Sequence, residues 1–191
     1  SSESTPQPLV TPVPTPGSLL YCSVYTRPDI AYATGMLCRA MSKPTPALHA
    51  AGLQVVAYLG VHRHVGLRYE PDQSSLSGMT DSDWAVKHST TGWLYMYNSA
   101  AISWSSKKQN SVALSSCEAE IMAASEAAKE ALYLNRFLGE LDLRHPDPLE
   151  LASDNQGAVD LAYNPEHHQR TKHIERRHFF IREAVERMEI R

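Results

Sequence analysis

Two runs of strand-forming residues that end in acids flank an alanine-rich helical stretch, and this pattern restricts the possible folds most. The first run is Thr80-Asp81-Ser82-Asp83-Trp84; the second is Leu149-Glu150-Leu151-Ala152-Ser153-Asp154-Asn155-Gln156. Between them, Glu118 and Glu120 stand at the start of the helical segment. Acids at two strand ends and at a helix start point to a divalent metal site on a mixed α/β scaffold.

A chain of 191 residues suits one domain, or one domain with a smaller helical piece. Its apolar fraction of 42% and charged fraction of 20% are those of a folded protein. The net charge of −3 argues neither for nor against a nucleic-acid partner. No apolar run approaches the roughly 20 residues of a membrane helix, so no membrane association is expected. The chain opens on Ser1 rather than Met and lacks a basic-then-apolar leader, which reads as a fragment or processed product. Cys22, Cys38 and Cys117 are scattered without paired spacing, as expected of reduced, structurally buried thiols inside a cell.

With five prolines among Ser and Thr, residues 1–17 are expected to form an extended or disordered arm. An apolar patch follows at Leu19, Leu20, Tyr21 and Val24. Pro28 then opens a helix carrying Ile30, Ala33, Leu37 and Met41 at helical spacing. After Pro44 and Pro46, a second helix presents Leu48, Ala51, Val55 and Leu59, and Gly60 closes it. Residues 18–70 are therefore expected to form a helical hairpin, with a short strand at Gly66-Leu67-Arg68-Tyr69. The second region, residues 76–191, begins with three strands. They are expected at residues 76–84, 92–97 and 101–105, with a hairpin turn at Asn98-Ser99. Ser115-Ser116-Cys117-Glu118 is a capping box for a long helix reaching about Leu141. A strand at residues 149–152 and helices around Ala158–Ala162 and residues 171–188 complete the order: three antiparallel strands, helix, strand, helices.

Phosphodiester hydrolysis with bound Mg²⁺ needs several carboxylates converging on two ions about 3.5–4 Å apart. Asp81 fits the first strand and Asp154 the fourth, and acids at the ends of neighbouring strands would converge in this way. Glu118 and Glu120, two residues apart, project from different parts of the helix, so only one can face the site fully. The same residues also admit structural readings, with Asp81 or Asp83 as a strand terminator, Asp154-Asn155 as a helix cap and Glu118 as part of the capping box.

The motifs Thr80-Asp81-Ser82-Asp83-Trp84-Ala85, Ser89-Thr90-Thr91-Gly92, Ile102-Ser103-Trp104-Ser105-Ser106-Lys107-Lys108-Gln109, Val112-Ala113-Leu114-Ser115-Ser116-Cys117-Glu118-Ala119-Glu120, Asp154-Asn155-Gln156 and Arg170-Thr171-Lys172-His173-Ile174 occur in this order. The run closely resembles the ribonuclease H domain of copia-type LTR retrotransposon Pol polyproteins. Upstream, Thr26-Arg27-Pro28-Asp29-Ile30-Ala31 and Tyr58-Leu59-Gly60 look like the end of the reverse-transcriptase and connection region. The resemblance implies a ribonuclease H-like fold and cleavage of RNA in RNA–DNA hybrids, dependent on Mg²⁺ or Mn²⁺. It implies metal ligation by Asp81, Glu120 and Asp154, with Glu120 favoured over Glu118 because Glu120-Ile121-Met122-Ala123-Ala124 matches the family's form. It further implies nucleic-acid contact at Lys107, Lys108, Asn155, Gln156, Arg170, Lys172 and His173. The implied partners are the hybrid and the rest of a Pol polyprotein, reverse transcriptase and integrase. The implied location is the cytoplasm, a virus-like particle or the nucleus.

The sequence departs from the family in three places. The segment between Trp84 and Ser89 is short, and Glu175 stands where Asp commonly follows His-Ile. The family also continues past the equivalent of Ile190 with a fifth strand and a helix carrying a fourth acid. A site short of one ligand and one strand is therefore expected, inactive or weak in this fragment, and no acid clearly replaces the missing one, Glu175 and Glu183 being the substitutes to consider. His167, His168, His173 and His178 lack the tight pairing of a zinc site, and the basic residues among them suit either hybrid phosphates or a solvated helix face. The competing functions are an inactive remnant that binds nucleic acid or protein, and a secreted transposon-derived product.

Overall fold

The computed structural model describes residues 16–71, 76–85, 87–143, 148–163 and 172–191. The chain divides into two compact units, Ser1–Gly66 and Leu67–Arg191.

The first unit holds three helices and a short 3₁₀ turn: α1 (Pro16–Tyr25), the turn Pro28–Ile30, α2 (Ala31–Ala40) and α3 (Pro46–Val61). The apolar patch at residues 19–24 is thus helical, which adds α1 to the expected pair. Pro16 fits this helix because the first turn needs no backbone N–H donor. Thr45 caps α3 by accepting from the Leu48 N–H at 3.2 Å. Gly60 does not end α3, which runs to Val61 with His62 at its C-cap. Arg27 fastens the unit. Its guanidinium lies 2.7 Å from Asp29 and donates to the His62 carbonyl at 3.2 Å, while the Tyr58 hydroxyl donates to Asp29 at 2.9 Å.

The strand expected at residues 66–69 is not formed. One backbone bond, Glu70 N–H to Asn98 O at 3.1 Å, and the Tyr69 hydroxyl on Ala101 O at 2.8 Å hold this extended segment. A single bond does not make a ladder.

The second unit is a four-stranded mixed sheet with helices. Its strands are β1 (Ser77–Asp83), β2 (Thr90–Tyr97), β3 (Ala100–Lys108) and β4 (Glu150–Ser153), in spatial order β3-β2-β1-β4. The β1–β2 and β2–β3 pairs are antiparallel and β1–β4 is parallel. Asn98 and Ser99 form the expected turn, both with positive φ (50° and 65°), the backbone twist that closes a two-residue hairpin. The long helix α4 (Ser116–Glu140) separates β3 from β4, and α5 (Gln156–Tyr163) and α6 (Lys172–Glu186) follow. Alanines at 119, 123, 127, 128 and 131 are buried on α4 and permit close helix–sheet approach. Ile121, Met122, Ile174, Ile181 and Ala184 join Tyr95 in the core. Beyond β4, Ile190 makes a parallel bridge with Leu149, and Leu151 N–H donates to Arg191 O at 2.9 Å. No helix among the described residues is long and apolar enough to cross a membrane.

Candidate metal centre

Strand register brings the two aspartates together. Thr80 and Ser153 are the last partners in the parallel β1–β4 ladder. Asp81 and Asp154 each follow that pair by one residue, and so emerge side by side at the same end of the sheet. The third carboxylate arrives on α4. Ser115 is the cap: its hydroxyl accepts from the Glu118 N–H at 3.1 Å, and Glu118 reaches back to the Leu114 N–H at 2.8 Å. Glu118 is thereby committed to starting the helix. Glu120, two residues on and turned roughly 200° around the axis, faces inward with only 5% of its surface exposed.

Asp81, Glu120 and Asp154 each place an oxygen within 4.8 Å of the others. Among the described residues, no ion pair offsets this concentration of negative charge. Burial pushes the Glu120 carboxyl above its ordinary pKa, and the charges of Asp81 and Asp154 push it further, against the opposing hydrogen bonds from Ser82. Glu120 Oε1 accepts from the Ser82 hydroxyl at 2.7 Å and the Ser82 N–H at 3.3 Å, whereas Oε2 is buried without a hydrogen-bond partner. A buried, unpartnered carboxylate oxygen beside two more carboxylates suits a hard divalent cation, because such an ion offsets both the desolvation and the repulsion.

Gln109 anchors the start of α4 beside this cluster. Its Nε2 donates to Thr91 Oγ1 on β2 at 3.0 Å and to the Ala119 carbonyl at 2.9 Å. Neither Gln109 nor Ser82 stood out as a site residue in the sequence. Strand alternation does carry the signal for Ser82, which lies on the opposite side of β1 from Asp81 and Asp83, toward the helix.

The remaining candidates are dispersed. Lys107 and Lys108 are exposed at the end of β3, and the Lys107 ammonium sits 5.8 Å from the Trp93 ring centroid. Asn155 Oδ1 accepts from the Ala158 N–H at 3.0 Å, so Asn155 starts α5 and Asp154 is spared capping. Gln156 is exposed and donates to Asp160 at 2.7 Å. Lys172 and His173 belong to the first turn of α6; Arg170, His167 and His168 lie outside the described residues. Arg177 pairs with Glu126 of α4 at 2.6 Å and Arg182 with Glu186 at 2.8 Å, which matches a structural, solvated helix face. Neither proposed substitute ligand joins the cluster: Glu183 pairs with Arg187 at 2.6 Å, and Glu175 is exposed.

No family model matches the chain. Curated proteins do. The chain is 42% identical over 174 residues to the retrovirus-related Pol polyprotein from transposon TNT 1-94 of Nicotiana tabacum, covering 89% of the chain and 13% of that protein. It is 37% identical over 175 residues to the Pol polyprotein from transposon RE1 of Arabidopsis thaliana, covering 89% and 12%. The chain thus spans only a small part of these relatives. It is also 42% identical over 123 residues to the secreted RxLR effector protein 161 of Plasmopara viticola, covering 62% of the chain and 87% of that protein. Among solved structures, the foamy viral protease-reverse transcriptase in complex with RNA/DNA hybrid shares the fold, with a TM-score of 0.56 at 16% identity over 92% of this chain and 23% of that one. The N-terminal RNase H domain of a Mycobacterium tuberculosis protein aligns over 61% of this chain and 78% of that one, at 9% identity and a TM-score of 0.44. The chain is homologous to a segment of the retrovirus-related Pol polyproteins of copia-type transposons, and its second unit has the mixed-sheet, ribonuclease H-like fold.

Proposed function

We propose that the second unit hydrolyses the RNA strand of RNA–DNA hybrids, as part of a Pol protein that carries reverse transcriptase and integrase. The first unit is the connection region leading into it. The observation that carries this reading is the convergence of Asp81, Glu120 and Asp154 from β1, α4 and the end of β4. The three carboxylates would hold Mg²⁺ or Mn²⁺, which when bound polarises the phosphate and makes water a competent nucleophile at neutral pH. The protein residues fix the position of that charge, and no side chain is needed as a nucleophile. Lys107 and Lys108 are available to hybrid phosphates from the same sheet end, since Thr91 pairs with Lys107 on one side and with Ser82 on the other. The bound hybrid in the foamy viral structure supports this class of substrate. Such chemistry belongs where reverse transcription occurs, in the cytoplasm or a virus-like particle.

The test is cleavage of end-labelled RNA–DNA hybrid by the chain in Mg²⁺ or Mn²⁺, beside Asp81→Asn. Cleavage that the substitution abolishes is expected. Hybrid binding without cleavage by the unsubstituted chain would overturn the enzymatic reading and favour a binding module. The extensive match to a protein named as a secreted effector favours a second reading, a stand-alone transposon-derived product. That reading predicts recovery of the chain outside cells expressing its full gene.

A further inference from the structure

We propose that Ser82 is a positioning residue for the metal centre, fixing which oxygen of Glu120 is presented to the cation. This rests on the metal-centre reading above. A glutamate at a site of this kind has two equivalent oxygens and three rotatable bonds, so its geometry is undetermined unless something holds it. Here Ser82 holds it, donating to Oε1 from both its hydroxyl (2.7 Å) and its backbone N–H (3.3 Å). The short hydroxyl bond to a carboxylate is the stronger of the two. Oε2 is left buried and without a hydrogen-bond partner, on a glutamate that clusters with Asp81 and Asp154.

The surrounding contacts keep the arrangement rigid. Ser82 pairs with Thr91 across the β1–β2 ladder. Thr91 accepts from Gln109, and the same Gln109 amide grips the Ala119 carbonyl next to Glu120. Strand and helix are therefore locked at the point where Ser82 meets Glu120. Asp81 and Ser82, adjacent in sequence, divide the work: one offers a carboxylate to the ion, and the other orients a carboxylate that does so.

Titration with Mn²⁺, followed by the electron paramagnetic resonance signal of the free ion, tests this. Ser82→Ala keeps the N–H bond and loses the hydroxyl, and is expected to weaken Mn²⁺ binding by about tenfold, the scale of lost support to a ligating carboxylate. Ser82→Thr restores the hydroxyl on a strand-compatible side chain and is expected to return affinity to near the parent value. Glu120→Gln serves as the ligand-loss control. Parent-like affinity in Ser82→Ala overturns the proposal, as does a lower melting temperature without any change in affinity, which marks a merely structural role. Absence of saturable Mn²⁺ binding by the unsubstituted chain overturns the metal-centre reading itself. If Ser82→Ala melts below the assay temperature, Ser82→Cys, similar in size but a weak donor, provides the same comparison.

Discussion

Gly78 and Tyr95 are partners in the β1–β2 ladder, and the Tyr95 ring occupies the volume that a side chain at residue 78 would need: a Cβ there would lie 2.2 Å from Tyr95 Cε1. The ring is fully buried, and its hydroxyl donates to the Ala127 carbonyl on α4 at 2.6 Å. It cannot swing aside without breaking the helix–sheet contact. Gly78→Ala is therefore expected to destabilise the domain by about 1–3 kcal/mol or more. Tyr95→Phe should cost about 1 kcal/mol by removing the hydrogen bond alone. Urea unfolding of both variants checks the order, and a neutral Gly78→Ala would contradict it.

The raised pKa of Glu120 makes stability depend on pH. The folded state holds this proton more tightly than the unfolded chain does, because burial and the charges of Asp81 and Asp154 disfavour the carboxylate. The resulting stabilisation is complete below the ordinary glutamate value and is lost as pH rises through the raised one. Without metal, Glu120→Gln should raise the melting temperature near pH 7. The gain should vanish near pH 4. Thermal melts in EDTA across that range measure it.

Metal should reverse that sign. An ion that binds only the folded state stabilises it by about 2.7 kcal/mol at 100 times its Kd. Mn²⁺ or Mg²⁺ is thus expected to raise the melting temperature of the unsubstituted chain, and EDTA to remove the gain. Asp154→Asn, which takes one carboxylate from the cluster, should show little or no shift. Differential scanning calorimetry with and without the ion decides.

In the first unit, the Arg27 hydrogen bonds and that of Tyr58 hold Asp29 below the usual carboxylate range. This contribution is present above the ordinary aspartate pKa and fades as pH falls through the depressed one. Asp29→Asn leaves the Arg27 guanidinium, whose side chain is only 11% exposed, without its anion. A loss of about 1–3 kcal/mol is expected. Faster amide exchange between residues 28 and 62 at neutral pH, with no effect on Mn²⁺ affinity, is the measurable consequence.

Local features of the sequence proved legible where a short-range rule determines the backbone. Ser115 and Glu118 mark the helix start because an N-cap and its reciprocal glutamate need only each other. Asn98-Ser99 marks the turn because few residues accept positive φ twice in succession. The apolar patch at residues 19–24 left its element open, and residues 66–69 pointed to a strand that does not form, because short apolar runs fit helix and strand alike and only available hydrogen-bond partners separate them.

By itself the sequence determined the order of strands and helices in the second unit and the capped start of α4, while the choice of Asp81, Glu120 and Asp154 rested on the family resemblance. It did so because caps, turns and side-chain periodicity act over a few residues. Only the tertiary structure decided that β4 lies parallel beside β1, so that Asp154 emerges next to Asp81, and that Ser82 grips Glu120 across 38 positions of chain. These relations depend on strand register and helix docking, which no local stretch of sequence specifies.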